Sequence, residues 1–260
     1  MKTKVLAGIL VLTLTAAVVV KVIFFPSIKD ACFAMDERSL LQAPAGVILV
    51  RPTHFSYLRQ KGVLRTAAPK SNGDTQWIMG RNAPLRDVIA AAYGQNLSRV
   101  VLPADVPPAH FDFLMTAPAK QLPRFQEIVR RKLGYVAQIQ TRNTDVLALK
   151  IANPALPGLK LSNDNEKRKV AFHNEILHFT HMPLAVIVNG FGRSLDTPVV
   201  DKTGLTNSYN FAITWNDEAI RRMQDGTTAR EVLDKIVAGL GLKLEPDTAS
   251  LEMLVVKKAD

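Results

Sequence analysis

The stretch TPVVDKTGLTNSYNFAITW, residues 197–215, contains two segments with strand-like patterns on either side of a turn. Its second half, SYNFAIT, alternates apolar and polar side chains with the two-residue period of a half-buried strand. Between the segments, Gly204 permits a positive φ, and the side chains of Asp201 and Thr203 can hydrogen-bond a turn backbone. The stretch therefore predicts two strands joined by a tight link.

The same order of elements occurs earlier in the chain, in the segments WIMGRNAPLRDVIAAAYG and HFDFLMT. The matched positions include Pro84 with Pro183, Leu85 with Leu184, Phe113 with Phe211, Gly134 with Gly241 and Leu147 with Leu254. A repeat period of about 100 residues indicates duplicated domains rather than a solenoid.

Each copy reads β-α-β-β-α-β-β. A proline suits the first turn of the first helix, and Leu85 begins an apolar face at helical spacing. Gly94 and Gly192 are predicted to cap the ends of these first helices. Each second helix ends in Leu-Gly, and each copy is predicted to close with a hairpin, at residues 135–152 and 242–259.

The sequence thus predicts an α+β protein with two related βαββαββ modules, at residues 45–160 and 161–260. Residues 26–44 are poorly periodic and are predicted to be a linker. Residues 1–25 are predicted to form a transmembrane or signal helix that precedes both modules.

The N-terminal segment starts with two lysines and continues as an apolar run from Val5 to Phe25, interrupted by Lys21. This run is long enough to span a bilayer, and the methylenes of Lys21 can stay in the apolar layer. No Ala-x-Ala cleavage site follows, which favours an uncleaved signal-anchor. The body would then face the periplasm or another extracytoplasmic space from the inner membrane. Secretion after signal-peptide cleavage and a buried N-terminal helix are the alternatives.

The net charge of +10 is concentrated near this segment. Residues 1–70 hold ten basic and three acidic side chains, whereas residues 166–260 hold twelve basic and thirteen acidic ones. This gradient suits a juxtamembrane region that faces anionic lipid. A nucleic-acid footprint would place a basic stripe with aromatic side chains on a folded face, so no nucleic-acid partner is expected.

Residues that commonly carry chemistry are sparse. Cys32 is the only cysteine, which excludes a disulfide within the chain. In HNEILHFTH, residues 173–181, a single strand would direct His178 away from His173 and His181, which would lie too far apart to share an ion. Gly-x-Ser-x-Gly, Walker and dinucleotide-binding motifs do not occur. We therefore expect no metal and no cofactor.

The segments NAPLRDVIAAAYG, RRKLGY, TPVVDKTGLTNSYNFAITW and GLGLKLEPDTASLEMLVVKKAD resemble a large paralogous family of uncharacterised exported bacterial proteins. This family, of acidobacterial type, is a domain of unknown function. The resemblance covers residues 45–260, and its most specific part is TPVVDKTGL-x-x-x-Y-x-F. It implies no activity and no catalytic residues. More weakly, AREVLDKIVAGLGLKLE is similar to the short N-terminal domains of secretins and TonB-dependent receptors, a similarity that implies an envelope module that binds other proteins.

We expect a membrane-anchored envelope protein that acts as a non-enzymatic protein-binding or assembly module. Its exposed strand edges would accept a strand from another envelope protein, while the N-terminal helix binds the bacterial membrane. The candidate partner-binding loop comprises Asp201, Lys202, Thr203, Gly204 and Asn207, and a purely structural corner is the other interpretation of this loop. The alternative function is an envelope hydrolase or a small-ligand sensor with a site between the two modules.

Overall fold

A computed structural model describes residues 33–54, 62–67, 76–214 and 226–259. These residues form a mixed α+β fold with five α-helices and twelve strands, which confirms the predicted class. The predicted N-terminal helix at residues 1–25 lies outside the described residues, as does Cys32. Within the described ranges, every helix is too short or too polar to cross a membrane.

The elements follow one another in a regular order. The helices are α1 (Glu37–Gln42), α2 (Leu85–Tyr93), α3 (Leu122–Leu133), α4 (Ala185–Leu195) and α5 (Gly226–Gly239). The strands are β1 (Ile48–Pro52), β2 (Gly62–Ala67), β3 (Gln76–Pro84), β4 (Val100–Val101), β5 (His110–Met115), β6 (Tyr135–Ile151), β7 (Lys160–Leu161), β8 (Lys169–His173), β9 (Ile176–Pro183), β10 (Val199–Asp201), β11 (Ser208–Thr214) and β12 (Leu242–Lys258).

The described chain forms two compact units that alternate along the sequence. The first unit comprises the described residues up to Gly94, then Asp105–Val136 and the C-terminal residues from Lys258. The second unit comprises Gln95–Ala104 and Ala137–Lys257. The modules predicted at residues 45–160 and 161–260 are defined by sequence repetition, whereas the two compact units are defined by contacts within the fold. The predicted module boundaries therefore stay a prediction.

The first unit is built on an antiparallel sheet with strand order β1-β5-β3-β2. One face of this sheet packs against α2 and α3, where Ile89, Phe113, Phe125 and Val129 are fully buried. The rings of Phe113 and Phe125 lie 6.1 Å apart. Gly80, on the neighbouring strand, leaves the space that the ring of Phe113 occupies.

The other face of the same sheet is covered by the chain that leads into it. Phe33 and Leu40 are fully buried there, in a cluster that includes Trp77, Met79 and Leu114. Residues 33–43, which the sequence places in a linker, are therefore packed into the first unit. Their apolar side chains supply a cover for a sheet face that would otherwise be exposed.

The second unit contains two sheets. The antiparallel sheet has the order β7-β11-β9-β8, which matches β1-β5-β3-β2 when each strand is replaced by its counterpart in the predicted repeat. The other sheet has the order β10-β6-β12-β4, in which β10 runs parallel to β6 and β4 runs parallel to β12. The core of this unit includes Leu149, Leu184, Leu233 and Leu242, each almost fully buried.

The two predicted terminal hairpins are wrong. Residues 135–151 and 242–258 each form one uninterrupted strand of 17 residues, and these strands lie side by side. Neither run contains a glycine to take the positive φ that the tightest hairpin turns require. Pairing with each other satisfies the backbone of both strands without a reversal.

The predicted helix ends are confirmed in the first copy and wrong in part of the second. Gly94 and Gly134 follow α2 and α3 in the left-handed conformation, with φ of 63° and 74°. Gly192 instead lies inside α4, which continues to Leu195 and ends at Asp196 with φ of 52°. Because an aspartate tolerates this conformation, the helix reaches one turn further than the glycine predicts.

Candidate functional site

The predicted partner-binding loop uses two of its own side chains to build a turn. Asp201 Oδ1 accepts hydrogen bonds from Thr203 N at 2.8 Å and Thr203 Oγ1 at 2.6 Å. Thr203 Oγ1 in turn accepts from Leu205 N at 3.1 Å. Gly204 follows with φ of 73°. These are the local side-chain bonds of a compact turn, so Asp201 and Thr203 have a structural use here.

Lys202 ties this turn to the neighbouring strands. Its backbone N donates to Leu149 O at 2.9 Å, which continues the pairing of β10 with β6. Its Nζ lies 2.7 Å from Asp247 Oδ2 on β12. Asn207 lies exposed between the turn and β11. Of the four predicted residues with a side chain beyond hydrogen, Asn207 is therefore exposed and takes no part in the hydrogen bonds that build the turn.

An ion-pair network crosses β6 and β12 beside this turn. Glu245 accepts from Lys243 at 2.7 Å and from Lys150 at 3.0 Å. The hydrogen bonds from Lys243 and Lys150 hold the pKa of Glu245 below its ordinary value. The hydrogen bond from Lys202 does the same for the pKa of Asp247. Because these side chains are partly exposed, solvent and salt screen their interactions.

The network predicts an acid-sensitive contribution to stability. In the folded protein the pKa values of Glu245 and Asp247 lie below their ordinary values of 4.5 and 3.8. Their contribution to the free energy of unfolding is therefore fully present when the pH is above these ordinary values, and it is lost as the pH falls through the lowered pKa values. Urea unfolding from about pH 6 to about pH 2 should show this loss. The double variant Glu245→Gln, Asp247→Asn should flatten the acid limb of the curve, and an unchanged limb would contradict the prediction.

A bulge recurs at equivalent positions of the two units. In the first unit Asn82 has φ of 49°, and the pairing of β3 with β5 shifts register between Gly80 and Ala83. Asp112 Oδ1 accepts from Asn82 N at 3.1 Å. In the second unit His181 has φ of 53°, and Asn210 Oδ1 accepts from His181 N at 2.8 Å.

Sequence reasoning missed this paired bulge. Its signal was present in HFDFLMT and SYNFAIT, where Asp112 and Asn210 hold the same place between aromatic residues. Asp112 is fully buried and also accepts from His54 N at 3.1 Å and Arg51 Nε at 3.4 Å. The bulge carboxylate of the first unit is therefore a structural acceptor for three donors.

The second bulge brings a serine and a histidine together. Ser162 Oγ lies 2.9 Å from Ser208 O and 3.0 Å from His181 Nδ1. A nucleophilic serine gives its proton to a neighbouring base. When Ser162 Oγ donates its single proton to Ser208 O, the contact with His181 is made in the tautomer that carries a proton on Nδ1, and this nitrogen then cannot act as a base toward Ser162. The two contacts join the residue that follows β7 to β11 and β9.

The segment HNEILHFTH is a hairpin rather than one strand. Asn174 and Glu175 form its turn with φ of 48° and 61°, and the chain reverses between β8 and β9. His178 consequently pairs across to Ala171 and lies on the same face as His173, so the expectation that His178 points away from His173 is wrong. Among the residues that the structure describes, no group of three His, Cys, Asp or Glu side chains is placed to hold a metal ion.

Exposed apolar side chains gather on the two edges of the sheet β7-β11-β9-β8. Leu161 on β7 is 65% exposed, and Val170 and Phe172 on β8 are 48% and 61% exposed. Val170 is opposite Phe179, whose ring stacks on Phe211 at 4.6 Å. The core face of the sheet thus continues to β8, where the apolar side chains are exposed. Sequence reasoning missed this surface because an exposed strand and a buried one alternate in the same way.

The described residues thus define a mixed α+β protein of strand-paired sheets, in which Leu161, Val170 and Phe172 are exposed apolar residues on edge strands. The chain belongs to the family described as "Protein of unknown function (DUF3738)", whose model matches residues 86–259. This membership confirms the expectation that the chain belongs to a family of unknown function. Searches of curated proteins and of solved structures found no match.

Proposed function

We propose that the protein is a non-enzymatic protein-binding or assembly module of the bacterial envelope. Residues 1–25 would anchor it in the inner membrane with the body outside the cytoplasm, and secretion after cleavage is the alternative placement. The body would consist of two duplicated βαββαββ modules. The common strand order of the two antiparallel sheets and the matching bulge bonds at Asn82 and His181 support this duplication.

The observation that carries the proposal is the sheet β7-β11-β9-β8 with its exposed edges. An edge strand presents unpaired N–H and C=O groups to which another chain can add. Leu161, Val170 and Phe172 place large apolar side chains beside these groups. Clustered exposed apolar residues mark protein–protein interaction sites on soluble surfaces. The loop at Asn207 begins β11 of the same sheet and is proposed as a second contact.

The test is site-specific photo-crosslinking in intact cells. The crosslinking residue replaces Leu161 or Asn207, and the matched control replaces Glu231, an exposed residue of α5. The expected result is one envelope protein captured from the first two positions and not from the control. The captured protein is then purified and must bind the full chain directly. Capture that is the same from all three positions, together with turnover of a substrate by the purified chain, contradicts the proposal.

A further inference from the structure

Strand β8 is the terminal strand of its sheet and pairs only with β9 among the described strands. A two-residue turn with positive φ at both Asn174 and Glu175 joins these strands. In a hairpin of this type, the residues that flank the turn exchange both backbone hydrogen bonds. His173 and Ile176 are these flanking residues. The position of the turn therefore sets which backbone groups of β8 face β9.

Hydrogen-bonded and non-bonded pairs alternate along an antiparallel ladder. Counting from His173, the backbone groups of His173, Ala171 and Lys169 point toward β9. The N–H and C=O groups of Val170 and Phe172 consequently point to the free side of β8. The free edge thus offers two complete sets of donors and acceptors, spaced as an added strand requires.

The side chains of the same two residues are the exposed apolar ones on β8. An added strand would place every second side chain on the face shared by Val170 and Phe172. In the first unit, the corresponding edge strand β2 is half-buried and lies against α1, where Thr66 Oγ1 donates to Glu37 Oε1 at 2.6 Å. The side chains of β2 are thus half-buried beside α1, whereas Val170 and Phe172 on β8 are exposed, so β8 is the edge strand whose apolar side chains a partner can reach.

Three consecutive cations lead into this edge. Lys167, Arg168 and Lys169 are all exposed, and none has an ion-pair partner among the residues that the structure describes. Lysines on edge strands also deter aggregation, but these flank apolar side chains that remain accessible. Such a surface favours a segment with carboxylates and disfavours one with cations. A second copy of β8 would bring its own three cations and is therefore the poorer partner.

We propose that β8 binds, by strand addition, an extended segment of another protein in which apolar and acidic residues alternate. The apolar side chains would contact Val170 and Phe172, and the carboxylates would face Lys169 on the opposite side of the strand. The proposal rests on the proposed protein-binding function and narrows it to one edge and one class of partner.

The test measures binding of two labelled peptides to the full chain in detergent by fluorescence anisotropy. The probe is a capped (Val-Glu)4 peptide, and (Val-Lys)4 is its matched control. The expected result is saturable binding of (Val-Glu)4 alone. Val170→Pro should weaken this binding at least about tenfold, because it removes an N–H on the free side and leaves the ladder with β9 intact.

Two further variants test whether binding depends on the three cations and whether it is specific to the β8 edge. Reversal of charge at Lys167, Arg168 and Lys169 to glutamate should also weaken binding at least about tenfold, and this variant remains informative if Val170→Pro does not fold. Glu231→Ala, at an exposed position of α5 outside the proposed binding surface, should leave binding unchanged. Absence of (Val-Glu)4 binding, equal binding of both peptides, or equal binding by the charge-reversed chain each overturn the proposal.

Sedimentation velocity tests whether a second copy of the chain occupies the edge of β8 instead. A dimer that Val170→Pro abolishes, without peptide binding, assigns the edge to a second copy and overturns the proposal. The proposed protein-binding function and the assignment of the binding site to β8 can be contradicted separately. If peptides do not bind but the crosslinks from Leu161 and Asn207 still capture one envelope protein, the protein-binding function stands and only the assignment to β8 falls.

Discussion

Replacing Gly80 by alanine is expected to destabilise the first unit by about 3 kcal/mol. A Cβ built on Gly80 would lie 2.0 Å from Cε1 of Phe113 and within 2.6 Å of two further ring atoms. The ring cannot move aside freely, because Phe113 is fully buried against Phe125. Urea unfolding followed by tryptophan fluorescence measures the effect. A Trp215→Phe background leaves Trp77, in the core of the first unit, as the single reporter.

A glycine of the second unit provides the matched control. Gly190 lies inside α4, and a Cβ built there meets nothing within 4 Å. Gly190→Ala should therefore leave stability unchanged or raise it by about 0.5–1 kcal/mol, since glycine weakens a helix interior relative to alanine. If Gly80→Ala were as harmless as Gly190→Ala, the close packing of Phe113 over the glycine would be wrong.

Replacing Asp112 by alanine is expected to cost about 3 kcal/mol of unfolding free energy. The change removes the acceptor for the backbone N–H groups of Asn82 and His54 and for Arg51 Nε. Asn82 is itself buried, so water does not replace the lost bond there. The same urea titration of Trp77 fluorescence measures the loss. Asp164→Ala, at an exposed aspartate, should change stability by less than about 0.5 kcal/mol.

The asparagine variant at the same position separates hydrogen bonding from charge. Asp112→Asn keeps an oxygen for Asn82 N, as Asn210 does for His181 N in the second unit. The amide nitrogen of the asparagine variant would face the donors Arg51 Nε and His54 N and would lack an acceptor there. In the second unit, by contrast, Asn210 Nδ2 donates to Glu166 Oε2 at 2.8 Å. Asp112→Asn should therefore cost roughly half as much as Asp112→Ala. A loss below about 1 kcal/mol for the alanine variant would contradict the role of Asp112 as a buried acceptor.

Local patterns predicted individual elements well. HFDFLMT and SYNFAIT predicted strands that the structure forms at His110–Met115 and Ser208–Thr214. Gly94 and Gly134 predicted helix ends, because a left-handed cap conformation is a property of one residue and its nearest neighbours. The loop at Asp201 was correctly interpreted as a turn for the same reason, while its role in binding a partner stays a prediction.

Long-range pairing was beyond these patterns. The parallel pairing of β10 with β6 and of β4 with β12 joins residues about 50 and about 150 positions apart. An alternation of apolar and polar residues predicts a strand but does not identify the strand that pairs with it. The continuous strands β6 and β12 were predicted as hairpins because polar residues in mid-strand resemble a turn. For the bulge, the sequence contained only the shared place of Asp112 and Asn210 between aromatic residues, because tertiary structure decides which backbone N–H groups surround the Asp112 carboxylate.

By itself the sequence determined the α+β class, the turn at Gly204 and membership of a family of unknown function, because each depends on local periodicity or on residue identity. Tertiary structure alone decided which strands pair, that residues 33–43 cover one face of the first sheet, and that Val170 and Phe172 stay exposed. The physical reason is that burial depends on what packs over a residue. The side chains of β2 pack beside α1, whereas the apolar side chains of β8, a strand with a similar alternation, stay exposed.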